Sequence, residues 1–257
     1  MCLGGMATQV ASQEVVAEFL GVFKALADDQ MDSVRIQVVP NCVFLAQVVP
    51  RDQQLAIVLP AVLSIAADKS WRVRWSLATQ FPDICAAFGE RTTNDHLSVA
   101  FEALLNDAEA EVRSASAANI SKVCKSLGKD RIIGKILPIT QRLVTDSSEF
   151  ARASLACVIN ELATLLGRDD TVTHLLPMLL LLLRDEMSDV RLSVISNLGA
   201  INHVIGVDLL SQSLLPAIVD LSEDPKWRVR LAIIEHIPML AEQLGKEFFS
   251  DRLSALC

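Results

Sequence analysis

Aromatic residues are scarce in this sequence of 257 residues: it has no Tyr, and aromatic residues make up only 5% of it. Leu, Ala, Ile and Val supply most of an apolar fraction of 51%. Small and branched aliphatic side chains fill closely packed helices well. The composition therefore favours a helical core, and there is enough apolar material to bury one.

Basic residues are also too few to outnumber acidic ones: the formal net charge is −8 and the pI is about 5.0. Nucleic-acid binding needs clustered Lys and Arg residues that displace counterions from phosphates. The sequence thus argues against a nucleic-acid partner. An acidic surface instead favours protein partners that have basic faces.

The cysteines lack the CxxC spacing that is typical of metal-binding and redox motifs. Cys85 and Cys124 lie 39 residues apart, each on an apolar helix face. Such cysteines are usually buried thiols, and thiols stay reduced in the cytosol. We therefore predict free, buried thiols in a reducing compartment for the six cysteines, which are Cys2, Cys42, Cys85, Cys124, Cys157 and Cys257.

Long apolar runs are absent as well. The longest runs, of which Leu175 to Leu183 is one, have nine residues, whereas a membrane span needs about 20. No stretch near the first residue has the charged-then-apolar pattern of a signal peptide. We expect a soluble protein without a membrane span, placed in the cytoplasm, and leave the nucleus open. We predict that the Leu175 to Leu183 run is buried on both sides, and the alternative is an exposed apolar face.

What the sequence does contain is a frame that recurs every 39 residues. An Asp is followed five residues later by Val and six residues later by Arg, with Ala151 replacing the Val once. A period of about 20 to 50 residues is typical of solenoids and other repeat arrays. The frame consists of Asp29, Asp68, Asp107, Asp146, Asp185 and Asp224 with Arg35, Arg74, Arg113, Arg152, Arg191 and Arg230.

Each 39-residue unit divides into two helical halves. Helix B begins near the Val, and its apolar residues recur at spacings of three and four, as in Val73, Leu77, Phe81, Ile84 and Phe88. Helix A precedes the Asp and has a similar apolar stripe. Neither half is long enough to be stable alone, since isolated helices of about 12 to 15 residues are marginal in water. Stability must therefore come from stacking of the units.

Glycine and proline occur at regular positions in these units. Five of the six B helices end at a Gly that we predict to adopt a left-handed cap, namely Gly89, Gly128, Gly167, Gly206 and Gly245. Four A helices contain a Pro that should bend them, namely Pro60, Pro138, Pro177 and Pro216.

The period predicts an all-α fold, an α-solenoid or superhelix of about six repeats. We expect residues 1–11 to be a leader outside the repeats. We expect residues 246–257 to begin a truncated seventh repeat, which suggests a fragment of a longer protein. The six repeats are predicted to span residues 12–50, 51–89, 90–128, 129–167, 168–206 and 207–245.

The equal spacing of the Asp and Arg residues predicts a ladder. Each Arg should lie near the Asp of a neighbouring repeat, where bidentate hydrogen bonds can hold the register of the stack. We assign this ladder a structural role. The alternative is that some of its members contact a partner directly.

Helix pairs with Asp in the turn and Val-Arg opening the second helix resemble HEAT repeats. Longer strings, Lys69 to Arg74, Glu109 to Arg113, Ser211 to Val219 and Lys226 to Glu235, look like the scaffold (A) subunits of protein phosphatase 2A. The resemblance covers residues from about 14 to 257. It corresponds to roughly the sixth to the eleventh of that family's fifteen repeats.

The resemblance implies that the turns between helices A and B bind partners. It implies contacts to the catalytic subunit of the phosphatase from Lys226, Trp227 and Arg228. For a regulatory B-type subunit it implies the region of Ser70, Trp71 and Arg72. Only the first of the five repeats that the family uses for the catalytic subunit is complete here, so we expect weak binding of that subunit.

Trp71 and Trp227 support this interpretation independently of the resemblance. Both lie two residues before the framework Val, where a large aromatic side chain is not needed to fill a core. Trp and Arg are the residue types most often found as binding hot spots. The alternative is that each Trp packs against an adjacent turn. Trp75 lies on helix B, and its side chain is predicted to pack within the fold.

Two other functions stay open. One is an adaptor or transport solenoid of the HEAT type that binds peptides on its concave face. The other is a metal-dependent enzyme like the deoxyhypusine hydroxylases, which bind iron through His-Glu pairs on repeated helices. His96 and His174 share a register but have Lys135 between them, and no phosphate loop or nucleophile motif is present. We predict no catalytic, cofactor-binding or metal-binding residues, and no enzyme.

Overall fold

A computed structural model describes residues 13–197, 199–206, 209, 216–217 and 219–244. Every regular element in these ranges is helical, as the period predicted. The chain divides between Ile139 and Thr140 into two compact units, which are described separately below. The predicted leader 1–11 and the predicted seventh repeat 246–257 lie outside the described residues, and the repeat boundaries stay a prediction.

Unit 1 alternates A and B helices along the chain. The A helices of its first three repeats are α1 (Gln13–Ala27), the helical segment 51–66 and the helical segment 93–105. A further A helix begins at Lys129 and reaches the unit boundary. The B helices α2, α5 and α7 pack on one another in succession. The bounds are α2 Asp32–Val48, α3 Arg51–Gln53, π1 Gln54–Val58, α4 Leu59–Ala66, α5 Trp71–Thr92, π2 Thr93–Leu97, α6 Ser98–Leu105, α7 Ala110–Ala117, α8 Ile120–Cys124, α9 Lys129–Arg131, π3 Ile132–Ile136 and α10 Leu137–Leu143.

Unit 2 continues the alternation. Its B helix α11 packs on α14, and α14 packs on α16. One A helix is described in full, from α12 through π4 to α13. The bounds are α11 Glu149–Leu166, α12 Arg168–Asp170, π4 Thr171–Leu175, α13 Leu176–Leu183, α14 Ser188–Ile195, α15 Gly199–Ile205 and α16 Trp227–Leu244.

A glycine with positive φ marks the end of a B helix at three places, and at Gly89 the resulting kink lies within the bounds of α5. The φ angles are +79° at Gly89, +82° at Gly167 and +83° at Gly206, so the positive sign of φ is as predicted. At Gly89 and Gly167 ψ is 166° and 178°, which is not the left-handed helical cap that was predicted but an extended region open almost only to glycine. The prediction was wrong at Gly128, where φ is −66° and ψ is 145°. There helix α8 ends at Cys124, and the chain has already turned before it reaches Gly128. Gly245 lies outside the described residues.

Each A helix of repeats two to five contains one five-residue π-helix, starting at Gln54, Thr93, Ile132 and Thr171. The residue after each segment donates its N–H five residues back, as Leu59 does to the Gln54 carbonyl. Pro60, Pro138 and Pro177 each come one residue later, but repeat three has Val99 there. The π-turn occurs without proline, so the A helices are interrupted by a feature that the Leu-Pro pattern did not predict.

The first residue of three π-helices satisfies a backbone carbonyl near the end of the preceding B helix. The Gln54 side chain donates to the Ala46 carbonyl at 2.7 Å, Thr93 to Cys85 at 3.3 Å and Thr171 to Ala163 at 3.4 Å. All three side chains are buried, and each carbonyl lies eight residues earlier. The Ala163 carbonyl also accepts the Gly167 N–H at 2.9 Å, so the Thr171 hydroxyl is a second donor there. The three buried side chains tie the end of each B helix to the A helix that follows it.

Three predictions about burial need correction. In the Leu175 to Leu183 run Leu181 is 58% exposed, although most of the run is buried. Cys42, Cys85 and Cys124 are buried, but Cys157 is exposed, and Cys2 and Cys257 lie outside the described residues. Trp75 is 45% exposed instead of packed. In each case the side chain lies on the solvent side of its helix, a position that residue type alone does not determine.

Candidate functional site

The framework Asp organises every turn between helices A and B. Two residues after each Asp, a backbone N–H donates to its carboxylate, for example Ser70 to Asp68 at 2.7 Å. The same contact recurs at Asp29, Asp107, Asp146, Asp185 and Asp224. The Arg six residues later donates to the backbone carbonyl of the Asp, as Arg35 does to Asp29 at 2.7 Å. An Asx-type turn of this kind fixes the backbone in which the partner residues were predicted.

Arg35, Arg74, Arg152 and Arg191 also reach the Asp of the next repeat. In unit 1, Arg35 donates through Nε and Nη2 to both carboxylate oxygens of Asp68, at 2.6 and 2.8 Å. Arg74 contacts Asp107 at the same two distances. Such bidentate pairs have fixed geometry and thereby hold the register between neighbouring turns.

Unit 2 has two corresponding pairs. Arg152 donates to Asp185 at 2.6 and 2.9 Å. Arg191 contacts Asp224 through Nη2 alone, at 2.8 and 3.0 Å, and its buried Nε has no hydrogen-bond partner. The second pair is therefore the weaker of the two. Arg113 and Arg230 donate to the carbonyls of Asp107 and Asp224 in their own turns.

The electrostatics of the ladder favour the charged forms. Burial by itself raises the pKa of Asp68 and of Asp107, but hydrogen bonds from Arg35, from Arg74 and from the turn N–H groups outweigh it. The pKa of each carboxyl therefore lies below its ordinary value. The hydrogen bonds to the carboxylates likewise raise the pKa of Arg35, Arg74 and Arg152.

The residues predicted to bind a regulatory subunit differ in accessibility. Trp71 is 37% exposed, and the Arg72 guanidinium lies 5.8 Å from the centroid of its ring, within cation–π range. The Ser70 hydroxyl donates to Asp32 at 2.9 Å. Ser70 thus contributes to the contact between two turns, whereas Trp71 and Arg72 remain accessible.

The turn predicted to bind a catalytic subunit has all three of its predicted residues exposed. Trp227 is the first residue of α16 and is 63% exposed, and Lys226 and Arg228 are exposed on either side of it. Val229 is completely buried. The turn therefore holds its framework residue in the core and leaves the three predicted residues in solvent.

Sequence reasoning missed other apolar residues at these turns. Met31 is 60% exposed, Met187 is 37% exposed and Phe150 is 69% exposed. Phe150 departs from the repeat pattern. Comparing the repeats position by position could have found it, because the equivalent position is occupied by Ser33, Arg72, Glu111, Asp189 and Arg228.

Other kinds of site find no support among the described residues. No group of three His, Cys, Asp or Glu side chains among them could hold a metal ion. None of the helices in the described ranges is both long enough and apolar enough to cross a membrane. Burial raises the pKa of the Cys42, Cys85 and Cys124 thiols to about 12, so these three are poor nucleophiles.

The repeated helix pairs, their Asp turns and the Arg ladder define a HEAT-repeat α-solenoid. HEAT repeat families match three stretches: the PPP2R1A-like HEAT repeat matches residues 90–167, and the HEAT repeat matches residues 175–205 and 214–244. A curated relative, the regulatory (A) subunit of protein phosphatase PP2A from Schizosaccharomyces pombe, is 43% identical over 87 residues. That match covers 34% of this chain and 15% of the relative's length.

Solved structures share the fold at low sequence identity. Cex1p superposes with a TM-score of 0.70 at 19% identity, covering 91% of this chain and 45% of Cex1p. Importin beta superposes with a TM-score of 0.69 at 13% identity, covering 95% of this chain and 33% of importin beta. At these identities the likeness concerns the fold alone.

Proposed function

We propose that this chain is a non-catalytic scaffold of protein phosphatase 2A, a serine/threonine phosphatase, and that it holds a regulatory B-type subunit together with the catalytic subunit. The proposal is supported by the match of residues 90–167 to the PPP2R1A-like HEAT repeat and by the similarity to the PP2A relative from Schizosaccharomyces pombe. The observation that carries it is Trp227, which is 63% exposed at a turn whose framework residues Asp224 and Val229 are buried.

A scaffold needs turns whose positions do not change when a partner binds. The bidentate pair between Arg74 and Asp107 in unit 1, and the pair between Arg152 and Asp185 in unit 2, tie each turn to the next. Preorganised surfaces lose less entropy on binding. The ladder therefore serves the function indirectly, by presenting exposed turn residues in fixed relation within each unit.

We assign the catalytic subunit to Lys226, Trp227 and Arg228. Trp227 offers a large rigid apolar surface for a pocket on the partner. Lys226 and Arg228, both exposed, can pair with carboxylates around such a pocket. Trp71 and Arg72 are assigned to a regulatory subunit in the same way, with Ser70 supporting their turn through Asp32.

The experiment measures binding of purified PP2A catalytic subunit to the full chain by surface plasmon resonance. Removing a hot-spot Trp costs about 2 kcal/mol or more, so Trp227→Ala should weaken binding about 30-fold. Trp75→Ala is the matched control, because Trp75 is also an exposed Trp but lies on a B helix beyond the turn. It should leave binding unchanged.

The result that would overturn the assignment is binding by the unmodified chain that Trp227→Ala does not weaken. The chain alone should also show no phosphatase turnover on a phosphopeptide. Residence in the cytoplasm and the absence of a cofactor are parts of the same proposal.

A second candidate function is an adaptor that binds peptides along the exposed face of its B helices. It is favoured by Trp75, which is 45% exposed on α5 where packing was expected. The same two variants separate the candidates. An adaptor of this type would lose its ligand with Trp75→Ala and keep it with Trp227→Ala.

A further inference from the structure

A shallow groove of about 450 Å³ lies in unit 2 between the turn after α10 and the turn after α13. We call it the unit 2 groove. Its lining includes Val144, Ser147, Arg152, Leu181, Asp185 and Glu186. None of these residues belongs to the sets that the proposed function assigns to partners.

The floor of the unit 2 groove is held by hydrogen bonds. Arg152 joins its two sides, because it donates to the Asp185 carboxylate at 2.6 and 2.9 Å and to the Asp146 carbonyl at 2.6 Å. The N–H groups of Ser148 and Met187 donate to Asp146 and Asp185 at 2.8 and 2.9 Å. The groove is therefore preorganised and needs little rearrangement to accept a ligand.

Leu181 forms an apolar wall of the groove and is 58% exposed. The repeats provide an internal comparison, because the equivalent residues are all exposed. A large apolar residue is thus not required at this position by the packing of the fold. Leu181 replaces residues that are small or charged in the other five repeats, namely Ala25, Ser64, Ala103, Arg142 and Asp220.

Phe150 shows the same departure on the first turn of α11, three residues after the groove residue Ser147. It is 69% exposed, and the equivalent residues in the other five repeats are exposed and polar or charged. Two large apolar side chains therefore meet solvent at the turns of repeats four and five. Phe150 itself does not line the groove, so Leu181 is the exposed apolar side chain that the groove offers to a ligand.

The charge of the groove restricts what it can bind. Three carboxylates line it, those of Asp146, Asp185 and Glu186, against one guanidinium, that of Arg152. Arg152 is already paired with Asp185, and Glu186, whose side chain is 84% exposed, lies 3.7 Å from Arg152 at the rim. A basic side chain on a ligand therefore has an exposed carboxylate available.

We propose that the unit 2 groove is a docking site for an extended segment of a partner protein. The segment places a Leu-like or Phe-like side chain against Leu181, and a neighbouring Lys or Arg pairs with Glu186. This proposal does not require the phosphatase assignment, because the groove is separate from the turn of Trp227.

The test uses fluorescein-labelled ten-residue synthetic peptides, in which two Leu alternate with two Arg in a Gly/Ser background, titrated with the full chain and followed by fluorescence anisotropy. Two matched peptides replace both Arg by Glu or both Leu by Ser. We expect the Leu/Arg peptide to bind at least about tenfold more tightly than either control peptide, a difference of about 1.4 kcal/mol.

Matched variants locate the binding. Leu181→Ser should weaken binding about tenfold or more, whereas Leu63→Ser, which changes an exposed Leu in unit 1, should not. Glu186→Lys should weaken binding, and Glu161→Lys, the same charge change at an exposed position on α11, should not. Circular dichroism melts check folding, which we expect to be unchanged because all four side chains reach solvent.

Three results would overturn the proposal. The first is equal binding of all three peptides, or no binding of the Leu/Arg peptide up to about 1 mM. The second is loss of binding with the control variants as well as with Leu181→Ser. The third is a dimer in sedimentation experiments that Leu181→Ser dissociates, which would assign the groove to a second copy of the chain. Trp227→Ala should leave peptide binding intact, so the two proposals can fail separately.

Discussion

Replacing Asp107 by Asn removes one charge from the ladder of unit 1 and leaves almost the same shape. In the folded chain, Asp107 accepts two hydrogen bonds from Arg74, and their side chains are only 7% and 16% exposed. Asn keeps one oxygen, so Arg74 loses one acceptor and the opposite charge. Arg74 Nη1 still donates to the Asp68 carbonyl at 2.6 Å.

The expected cost follows from this burial. Removing one partner of a buried ion pair costs about 3–5 kcal/mol, because the remaining charge is left without compensation. Since Asn retains one acceptor and Arg74 keeps its carbonyl contact, we expect the lower end, about 3 kcal/mol. The control is Asp95→Asn, because Asp95 pairs with Arg91 at 3.8 Å on the surface, where their side chains are 50% and 93% exposed. Such a pair contributes about 0–1 kcal/mol.

The assay is urea unfolding of the full chain followed by far-ultraviolet circular dichroism, which reports helix content, with the midpoint and slope compared between variants. Asp107→Asn should lower the midpoint clearly, and Asp95→Asn should leave it nearly unchanged. Equal midpoints for the two variants would refute a stabilising role of the buried ladder.

The pH dependence gives an independent check with a defined sign. The pKa of Asp107 lies below its ordinary value, so the ladder contributes fully above the unfolded-state pKa of about 3.9. The contribution is lost as the pH falls below that value through the lower folded-state pKa. The stability difference between the unmodified chain and Asp107→Asn should therefore be constant near neutral pH and shrink below about pH 4.

Two further predictions follow from backbone geometry and burial. Gly89→Ala should destabilise the chain by about 1–2 kcal/mol because φ is +79° there. Gly128→Ala, at φ −66°, should be neutral or stabilise the chain by about 0.4–1 kcal/mol. Thermal melts of both variants measure the difference, and equal destabilisation would contradict the strain argument. Iodoacetamide should modify Cys157 quickly in the folded chain and the buried thiols of Cys42, Cys85 and Cys124 only after unfolding, as followed by peptide mass spectrometry. Rapid labelling of these three thiols in the folded chain would contradict their burial.

Much of the fold could be predicted from the sequence because its constraints are local and repeated. The spacing from Asp68 to Arg74 lets one Arg reach the carbonyl of its own turn, and the distance of 33 residues from Arg74 to Asp107 is constant along the chain. Glycine at position 89 follows equally directly from a backbone angle that other residues rarely adopt. These features depend on chain geometry within one repeat and its neighbour.

The exceptions arise where the conformation of one segment depends on contacts with another part of the repeat. Gly128 adopts an ordinary backbone conformation because α8 ends early, and nothing within the Gly128 segment predicts that ending. The capping of the Cys85 carbonyl by Thr93 joins two helices across a turn. A π-helix in every A helix of repeats two to five was likewise invisible in a stripe of apolar residues.

The sequence by itself determined the period, the helix pairs and the identity of the ladder, because a 39-residue repeat has few ways to bury its apolar stripes. It also indicated that Trp227, at a turn, is not part of the repeat framework. Only the tertiary structure decided which of the residues outside the repeat framework are exposed to solvent. Trp227, Phe150 and Leu181 are exposed, whereas most neighbours of Leu181 in its apolar run are buried, because solvent access depends on which face of a helix the next repeat covers.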